Sequence, residues 1–485
     1  MNFTSPLYFY FIVSIFLFFR IASKIHLGQA FLSSILLIAS YCFYAAWSPT
    51  YVLLIAVPTI SDFWLGNQIY NSSGRKQKLY LLASICLNLG VLGFFKYANF
   101  LLGIENSLVS MLSISHKSLV LDLILPAGIS FYTFQSMSYT IDIYRGLIRP
   151  ELSIFQYALY LSFFPQLVAG PIVVARELLP KLKNLGSNLD IPYPKVFWLL
   201  LLGFTKKAII ADRIAPIIDI MYANPLSFSA LDWVLCVLGY SVQIFCDFSG
   251  YTDIARGSAL LFGIVLPENF NLPYLAGSFS DFWKRWHITL SNWLRDYLYI
   301  SLGGNRGTVV QISFNLMVTM LLGGLWHGAS WNFVLWGGGH GILLSLERYF
   351  QNSRFSPLPV GGTGSFYQKT SFLTFLALRR MIVFSCITLL WILFRSKSID
   401  VSLDVLSKLF SFQGGFILGY TDRNFLLGNI WVVFFSHLIG FFYADQISAY
   451  LEKELEWKLG IFFMVWAYIA VSLSRESRPF LYFVF

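Results

Sequence analysis

The stretch SDFWKRWHITLSNWLRDYLYISLGG, residues 280–304, sets Lys284, Arg285, His287, Arg295 and Asp296 among three tryptophans and two tyrosines, in a chain that is 57% hydrophobic and only 12% charged. Downstream, Leu325-Trp326-His327-Gly328-Ala329-Ser330-Trp331 places a second histidine between apolar runs, with no charged neighbour to offset its burial. An imidazole, with an ordinary pKa of about 6.5, can take up a proton at neutral pH and return it. An ionisable side chain inside a membrane bundle is a functional candidate by default. The plain alternative for His327 is a neutral ring satisfied by a backbone carbonyl. No Ser-His-Asp or Cys-His arrangement is evident, so the pattern does not imply a covalent intermediate on the enzyme.

These residues have to be positioned by helices. At about 100° per residue, Phe282, Trp286, Leu290, Trp293, Tyr297 and Ile300 fall on one apolar stripe of a helix over 280–304, with Ser280 or Asp281 to cap its start and Gly303-Gly304 to end it. The other faces hold Lys284, Arg285, His287, Ser291, Asn292, Arg295 and Asp296. As a lipid-facing span, Lys284, Arg285, Arg295 and Asp296 would cost about 10 kcal/mol together, so the segment does not cross the bilayer in that way. Two readings stay open: an interfacial amphipathic helix with tryptophans at headgroup depth, or one wall of a polar cavity. Upstream, YSVQIFCDFSGYTDIARG carries Gln243, Asp247, Asp253 and Arg256. Asp247, Ser249 and Gly250 read as a helix break and Asp253 with Arg256 as an i,i+3 pair, structural rather than catalytic.

The rest of the chain supplies the setting. Its 485 residues, 18% of them aromatic, include repeated apolar runs close to a bilayer's width, which makes it an all-α polytopic membrane protein. Runs near 7–23, 28–47, 51–70, 79–95, 119–142, 152–170, 195–211, 230–248, 308–326, 330–346, 371–394, 426–446 and 457–474 predict roughly eleven to thirteen membrane segments. The run 152–170 carries Pro165 and ends in Gly170-Pro171 between two basic flanks, as expected of a re-entrant segment. The net charge of +10 sits in short clusters between the runs, including Arg75/Lys76/Lys78, Lys206/Lys207/Arg213 and Arg379/Arg380, the positive-inside pattern rather than a nucleic-acid surface. The first run lacks charge before it and is followed by Arg20 and Lys24, which predicts a retained helix with its N-terminus outside and a cytoplasmic loop at 71–78. Cys42, Cys86, Cys236, Cys246 and Cys386 read as small buried hydrophobes, with neither disulfide nor metal spacing. The stretch 352–366 is linker-like, and no internal repeat is found. The chain reads as one integral-membrane domain, 1–485, made of N-terminal helices over 1–95, a core with both histidines over 96–350 and C-terminal helices over 351–485.

The block from Gln243 to Gly304, with DFSGYTDIARG, PENFNLPY and FWKRWHITLSNWLRDYLYISLGG, followed by LWHGASWNFVLWGGGHG, resembles the membrane-bound O-acyltransferase superfamily, and within it the bacterial alginate O-acetyltransferase membrane-subunit branch. FFPQLVAGP and the closing PFLYFVF extend the likeness from about residue 90 to the end. Ser301, Val174 and Val484 depart from the branch's usual Pro, Arg and Gln.

That resemblance implies a helical shell around a central tunnel, in which a cytoplasmic acyl thioester meets an acceptor hydroxyl from the other face. It implies that His327 is the active-site histidine of the L-W-H-G motif and His287 the second motif residue. His327 is then the expected base, and His287 the group that orients a substrate or steadies the thioester oxyanion. Lys284, Arg285 and Arg295 are expected to meet the phosphates of a coenzyme A-type donor, with Trp286, Asn292 and Asp296 as further substrate contacts; a membrane-surface role accounts for the same charges. His340, about 140° from His327 on a continuous helix, reads as structural. No bound cofactor is expected, only acetyl-CoA or another acyl thioester as donor substrate. The expected partners are an extracytoplasmic polysaccharide or an acetyl-relay protein and membrane lipids, and the expected location is the bacterial cytoplasmic membrane. D-alanyl transfer to teichoic acid, or a non-catalytic transporter or scaffold of polysaccharide secretion, are the competing readings.

Overall fold

The computed structural model describes residues 2–112, 120–168, 170–186, 191–352 and 366–451, together with residues 465, 466, 478, 480 and 481. The linker-like residues 353–365, most of the candidate segment 457–474 and most of the closing PFLYFVF lie outside the described residues. Among the described residues seven helices are long and apolar enough to cross a membrane, and no strand forms, only one isolated antiparallel bridge between Phe270 and Trp286. The chain is an all-α, multi-pass membrane protein.

It divides into two compact units. The first comprises Met1–Thr205, Gly250–Pro267 and Leu451–Val484. It contains α1 (Pro6–Lys24), α2 (Gln29–Ala45), α3 (Val52–Tyr70), α4 (Gly74–Leu92), α5 (Ala98–Met111), α6 (Ile129–Tyr144), α7 (Ile154–Ser162), α8 (Phe164–Leu167), α9 (Ala175–Leu182) and α10 (Tyr193–Phe204). α1 starts where Ser5 accepts the Tyr8 N–H and Pro6 occupies the first turn, a position where the missing proline N–H costs nothing. A single π turn, Gly93–Tyr97, joins α4 to α5.

Polar side chains tie the middle of this unit together. The fully buried carboxylate of Asp62 accepts from Asn88 Nδ2 at 2.6 Å and Ser136 Oγ at 2.5 Å, and Ser136 lies 3.0 Å from the Tyr157 hydroxyl. Ser84 and Thr140 pair at 2.9 Å. Hydrogen bonds of this kind join helices where apolar contact alone gives no preference over lipid.

Three expectations are corrected here. The run 119–142 is not helical from its start: 120–126 is irregular and α6 begins at Ile129. Pro126 disfavours helical geometry at Leu125, and Gly128 turns the chain at φ 75°, where a Cβ would also collide with the Leu167 carbonyl. The basic residues of 71–78 form the exposed first turn of α4 rather than a loop. Cys42 and Cys86 are exposed on apolar helices, whereas Cys236 and Cys246 are buried. The segment 152–170 does break, at Phe163 between α7 and α8, and its helical residues from Tyr157 onward are buried in protein.

The second unit comprises Lys206–Ser249, Glu268–Tyr450 and Phe485. A π segment, Thr205–Ala211, leads into α11 (Asp212–Ala223). Then follow α12 (Ala230–Leu260), whose residues from Gly250 on belong to the first unit, α13 (Phe279–Arg285), α14 (Ile288–Trp293), α15 (Val309–His327), α16 (Trp331–Asn352), α17 (Phe366–Arg395), α18 (Ile399–Leu409) and α19 (Tyr420–Leu451). α12 runs without the break expected at Asp247–Gly250. Asp247 faces an ion partner instead: the buried Lys207 ammonium lies 2.6 Å from Asp247 and 2.7 Å from Asp212. Lys207 therefore belongs to a buried triad rather than to a basic membrane flank. Asp253 and Arg256 form the expected i,i+3 pair, at 3.8 Å.

Candidate active site

The segment 280–304 is not one helix. α13 ends at Arg285, Trp286 is extended, and His287 takes a left-handed conformation, φ 44° and ψ 54°, before α14 begins. That region disfavours a residue with a side chain, so something must hold it. Residues 269–271, from PENFNLPY, do so. The Ile288 N–H donates to the Asn269 carbonyl at 3.0 Å, and the Asn271 N–H donates to the Arg285 carbonyl at 3.0 Å. The Asn269 side-chain oxygen accepts from both the backbone and the hydroxyl of Thr289, at 3.1 and 2.7 Å. The clamp turns His287 inward, where it is fully buried.

α13 is fixed at its other end. Ser278, rather than Ser280 or Asp281, caps it by accepting the Asp281 N–H, and the Asp281 carboxylate accepts the N–H of Gly277, the residue before the cap. Glu347 of α16 accepts the next two free N–H groups, of Phe279 at 2.7 Å and Ser280 at 3.2 Å, an anion on the positive end of a helix. The helical course continues from α14 into a π segment, Leu294–Tyr299, and turns at Gly303 and Gly304, both with positive φ. Of the expected stripe, Phe282, Trp286, Leu290, Trp293 and Tyr297 are buried, while Ile300 is exposed.

α15 delivers His327 as its last residue. It packs closely on α16, since a Cβ on Gly324 would collide with the Phe333 carbonyl and one on Gly337 with that of Met320. Small residues of this kind let membrane helices approach backbone to backbone. Past Gly328, Asn332 donates to the Ser396 carbonyl at 2.8 Å and anchors the start of α16 to the end of α17.

The two histidines meet across one indole. The Trp326 ring lies 5.8 Å from that of His287 and 4.8 Å from that of His327. Phe248 stands edge-on to His287 at 4.6 Å, and Trp336 and Phe394 flank His327 at 5.0 and 5.2 Å. Burial in this apolar surround pushes the His287 imidazole down to about 3, so it is neutral at pH 7, with one N–H to donate and one lone pair to accept. Neither of its nitrogens has a hydrogen-bond partner among the described residues. His327 is buried at 3% exposure.

The other expected contacts are distributed differently. Trp286 is a packing residue, buried and stacked on Phe282 at 5.6 Å with Trp391 at 5.0 Å. Arg285 is half-buried and engaged with Asp281 at 2.8 Å and the Asn271 carbonyl at 3.3 Å. Lys284, Asn292 and Arg295 are exposed, and Arg295 pairs with Asp296 at 2.7 Å. The structure thus brings His287 and His327 to one aromatic cluster and leaves Lys284, Asn292 and Arg295 on the surface. Two features escaped the sequence reading. The Asn269 clamp could have been sought in the paired asparagines of PENFNLPY; the second is the packing of His340 against Trp336, at 4.7 Å.

Comparison with known proteins bears on this arrangement. Residues 145–358, which contain both histidines, match the family model described as MBOAT, membrane-bound O-acyltransferase family. The chain is 40% identical over 380 residues, 78% of its length and 72% of the relative's, to the probable alginate O-acetylase of Azotobacter vinelandii. It is 36% identical over 407 residues, 78% of its length and 74% of the relative's, to the peptidoglycan O-acetyltransferase of Helicobacter pylori. A teichoic acid D-alanyltransferase of Bacillus subtilis is 30% identical over 246 residues, 48% of this chain and 62% of that protein.

Proposed function

We propose, from the premise that the chain belongs to the membrane-bound O-acyltransferase family, that this membrane O-acyltransferase passes an acetyl group from a cytoplasmic thioester donor to a hydroxyl of an extracytoplasmic polysaccharide, directly or through a partner protein. The observation that carries the reading is the packing of His287 and His327 against the same indole, Trp326. The names of the relatives with the longer matches, alginate O-acetylase and peptidoglycan O-acetyltransferase, favour acetyl over the D-alanyl group.

In the proposed reaction the acceptor oxygen attacks the thioester carbonyl while His327 takes the hydroxyl proton. The carbonyl oxygen gains charge, and the N–H of the neutral His287 steadies it. As the tetrahedral centre collapses, the C–O bond of the ester stays, the C–S bond breaks, and the proton passes from His327 to the leaving thiolate. A dry aromatic surround strengthens both hydrogen bonds relative to water.

The test is donor choice by the purified protein in membrane vesicles, with labelled acetyl-CoA and a D-alanyl carrier-protein thioester offered in turn. Transfer of acetyl to a hydroxyl acceptor is the expected result. Transfer of D-alanine instead supports the competing acylation, and release from neither donor by monodisperse protein argues for a transporter or scaffold.

The surface cations belong to the same reading. In this reading Arg295 and Lys284 meet donor phosphates, whereas Arg285 also pairs with Asp281 at the start of α13. Arg295→Gln is therefore expected to raise the donor KM severalfold with kcat little changed, the mark of lost ground-state binding. Arg285→Gln is expected to lower thermal stability as well. An unaltered donor KM in Arg295→Gln, with less protein held in the membrane, assigns these charges to the membrane surface.

The protein is proposed to sit in the bacterial cytoplasmic membrane with the start of α1 outside, because Arg20 and Lys24 lie at the end of α1 and Arg75, Lys76 and Lys78 are exposed at the start of α4. A Ser73→Cys variant should resist an impermeant thiol reagent in intact cells and react once the membrane is opened. Cys42 and Cys86, exposed but on apolar helices, are replaced by serine first. Labelling of Ser73→Cys in intact cells reverses the orientation.

A further inference from the structure

His340 shares the features of His287. Its side chain is fully buried, and among the described histidines only His287 and His340 have both ring nitrogens buried without a hydrogen-bond partner. The expectation that His340 is merely structural assumed one continuous helix from His327. Instead α15 ends at His327, the chain is extended at Gly328, and α16 starts afresh at Trp331, so the angular separation computed for a single helix does not apply. One indole packs on both rings: Trp336 lies 5.0 Å from His327 and 4.7 Å from His340. Trp283, from the motif helix α13, closes the third side at 4.9 Å.

The indole nitrogens of Trp283 and Trp336 are also buried without hydrogen-bond partners among the described residues. Burying so many unmatched polar groups together is costly, and a fold retains them where something else supplies the partners. What can do so follows from their chemistry. Indoles only donate, while a neutral imidazole both donates and accepts. A phosphate oxygen or thioester carbonyl answers donors alone. A hydroxyl accepts from an indole and donates to an imidazole nitrogen, and the apolar ring faces of a sugar pack on indoles.

We propose that His340, with the indole N–H groups of Trp283 and Trp336, binds hydroxyl groups of a saccharide acceptor beside His327. The proposal rests on the acyl-transfer reading above and adds to it a place for the acceptor. A saccharide held there lies across one indole from the proposed base.

The experiment varies donor and acceptor separately, with labelled acetyl-CoA and an oligosaccharide acceptor, for the wild-type protein, His340→Phe, His340→Gln and Trp336→Phe, each corrected for the fraction eluting monodisperse in detergent. His340→Phe keeps a buried planar ring and removes both nitrogens. It is expected to raise the acceptor KM by about tenfold or more, the loss of one hydrogen bond to a buried group, with the donor KM within about twofold of wild type. His340→Gln, whose amide also donates and accepts, should recover part of the loss, and Trp336→Phe should raise the acceptor KM in the same sense. A wild-type acceptor KM in His340→Phe, or a rise in donor KM instead, overturns the proposal. If His340→Phe does not fold, Trp336→Phe and His340→Gln decide it on the same criterion. Absence of transfer by the wild-type protein is a separate result, the failure of the acyl-transfer reading itself.

Discussion

His327→Ala is expected to lose acyl transfer by about 10²- to 10⁴-fold per folded molecule, the usual contribution of a positioned general base. The residue closes α15 and is ringed by Trp326, Trp336 and Phe394, so its removal also leaves a small cavity. That loss of packing costs about 1 to 3 kcal/mol and lowers the yield of folded protein, but it does not lower turnover by the protein that remains folded. The measurement is therefore turnover normalised to the monodisperse fraction in detergent. His327→Gln separates the two contributions further, since an amide fills the space and hydrogen-bonds but takes up no proton at neutral pH. A Gln variant as inactive as Ala supports proton transfer. Near-normal specific activity in His327→Ala removes the residue from the chemistry.

The largest expected effect on stability is at Lys207. Its ammonium, 1% exposed, lies between Asp247 of α12 and Asp212 of α11 at 2.6 and 2.7 Å. Lys207→Met fills much of the same space but leaves two carboxylates buried side by side without a cation. Breaking a buried pair in this way costs about 3 to 5 kcal/mol, enough to consume much of a typical domain's stability. A large fall in the thermal transition in detergent is expected. The triple variant Lys207→Met, Asp212→Asn, Asp247→Asn removes the stranded charge, so it should regain most of what Lys207→Met loses. If Lys207→Met melts close to wild type, the triad does not hold α11 and α12 together. Failure of the triple variant to recover would assign the role to packing rather than charge.

What the sequence disclosed, and what it withheld, follows from the range of the forces involved. Helix existence was legible from apolar runs, and His327 and His287 stood out because ionisable groups are rare among such neighbours. The kink at His287 was not legible, because it is imposed from outside the segment by Asn269, whose carbonyl and side chain hold Ile288 and Thr289. A periodicity argument over 280–304 has no access to that clamp. The same limit applies to Lys207, which in sequence belongs to a basic cluster and in space is matched by a carboxylate forty residues away. It applies equally to α13, whose capping carboxylate, Glu347, comes from α16. The angular argument for His340 failed for a local reason, the interruption at Gly328.

The proposed reaction moves an acyl group from a thioester to a hydroxyl at the centre that holds His287 and His327. The most direct measurement reconstitutes the purified protein in vesicles with labelled acetyl-CoA and a saccharide acceptor, and follows label on the acceptor hydroxyl against free thiol released. The account predicts equal amounts of ester and thiol from the wild-type protein and neither from His327→Ala. Thiol release without ester, or ester formation unchanged in His327→Ala, would contradict it.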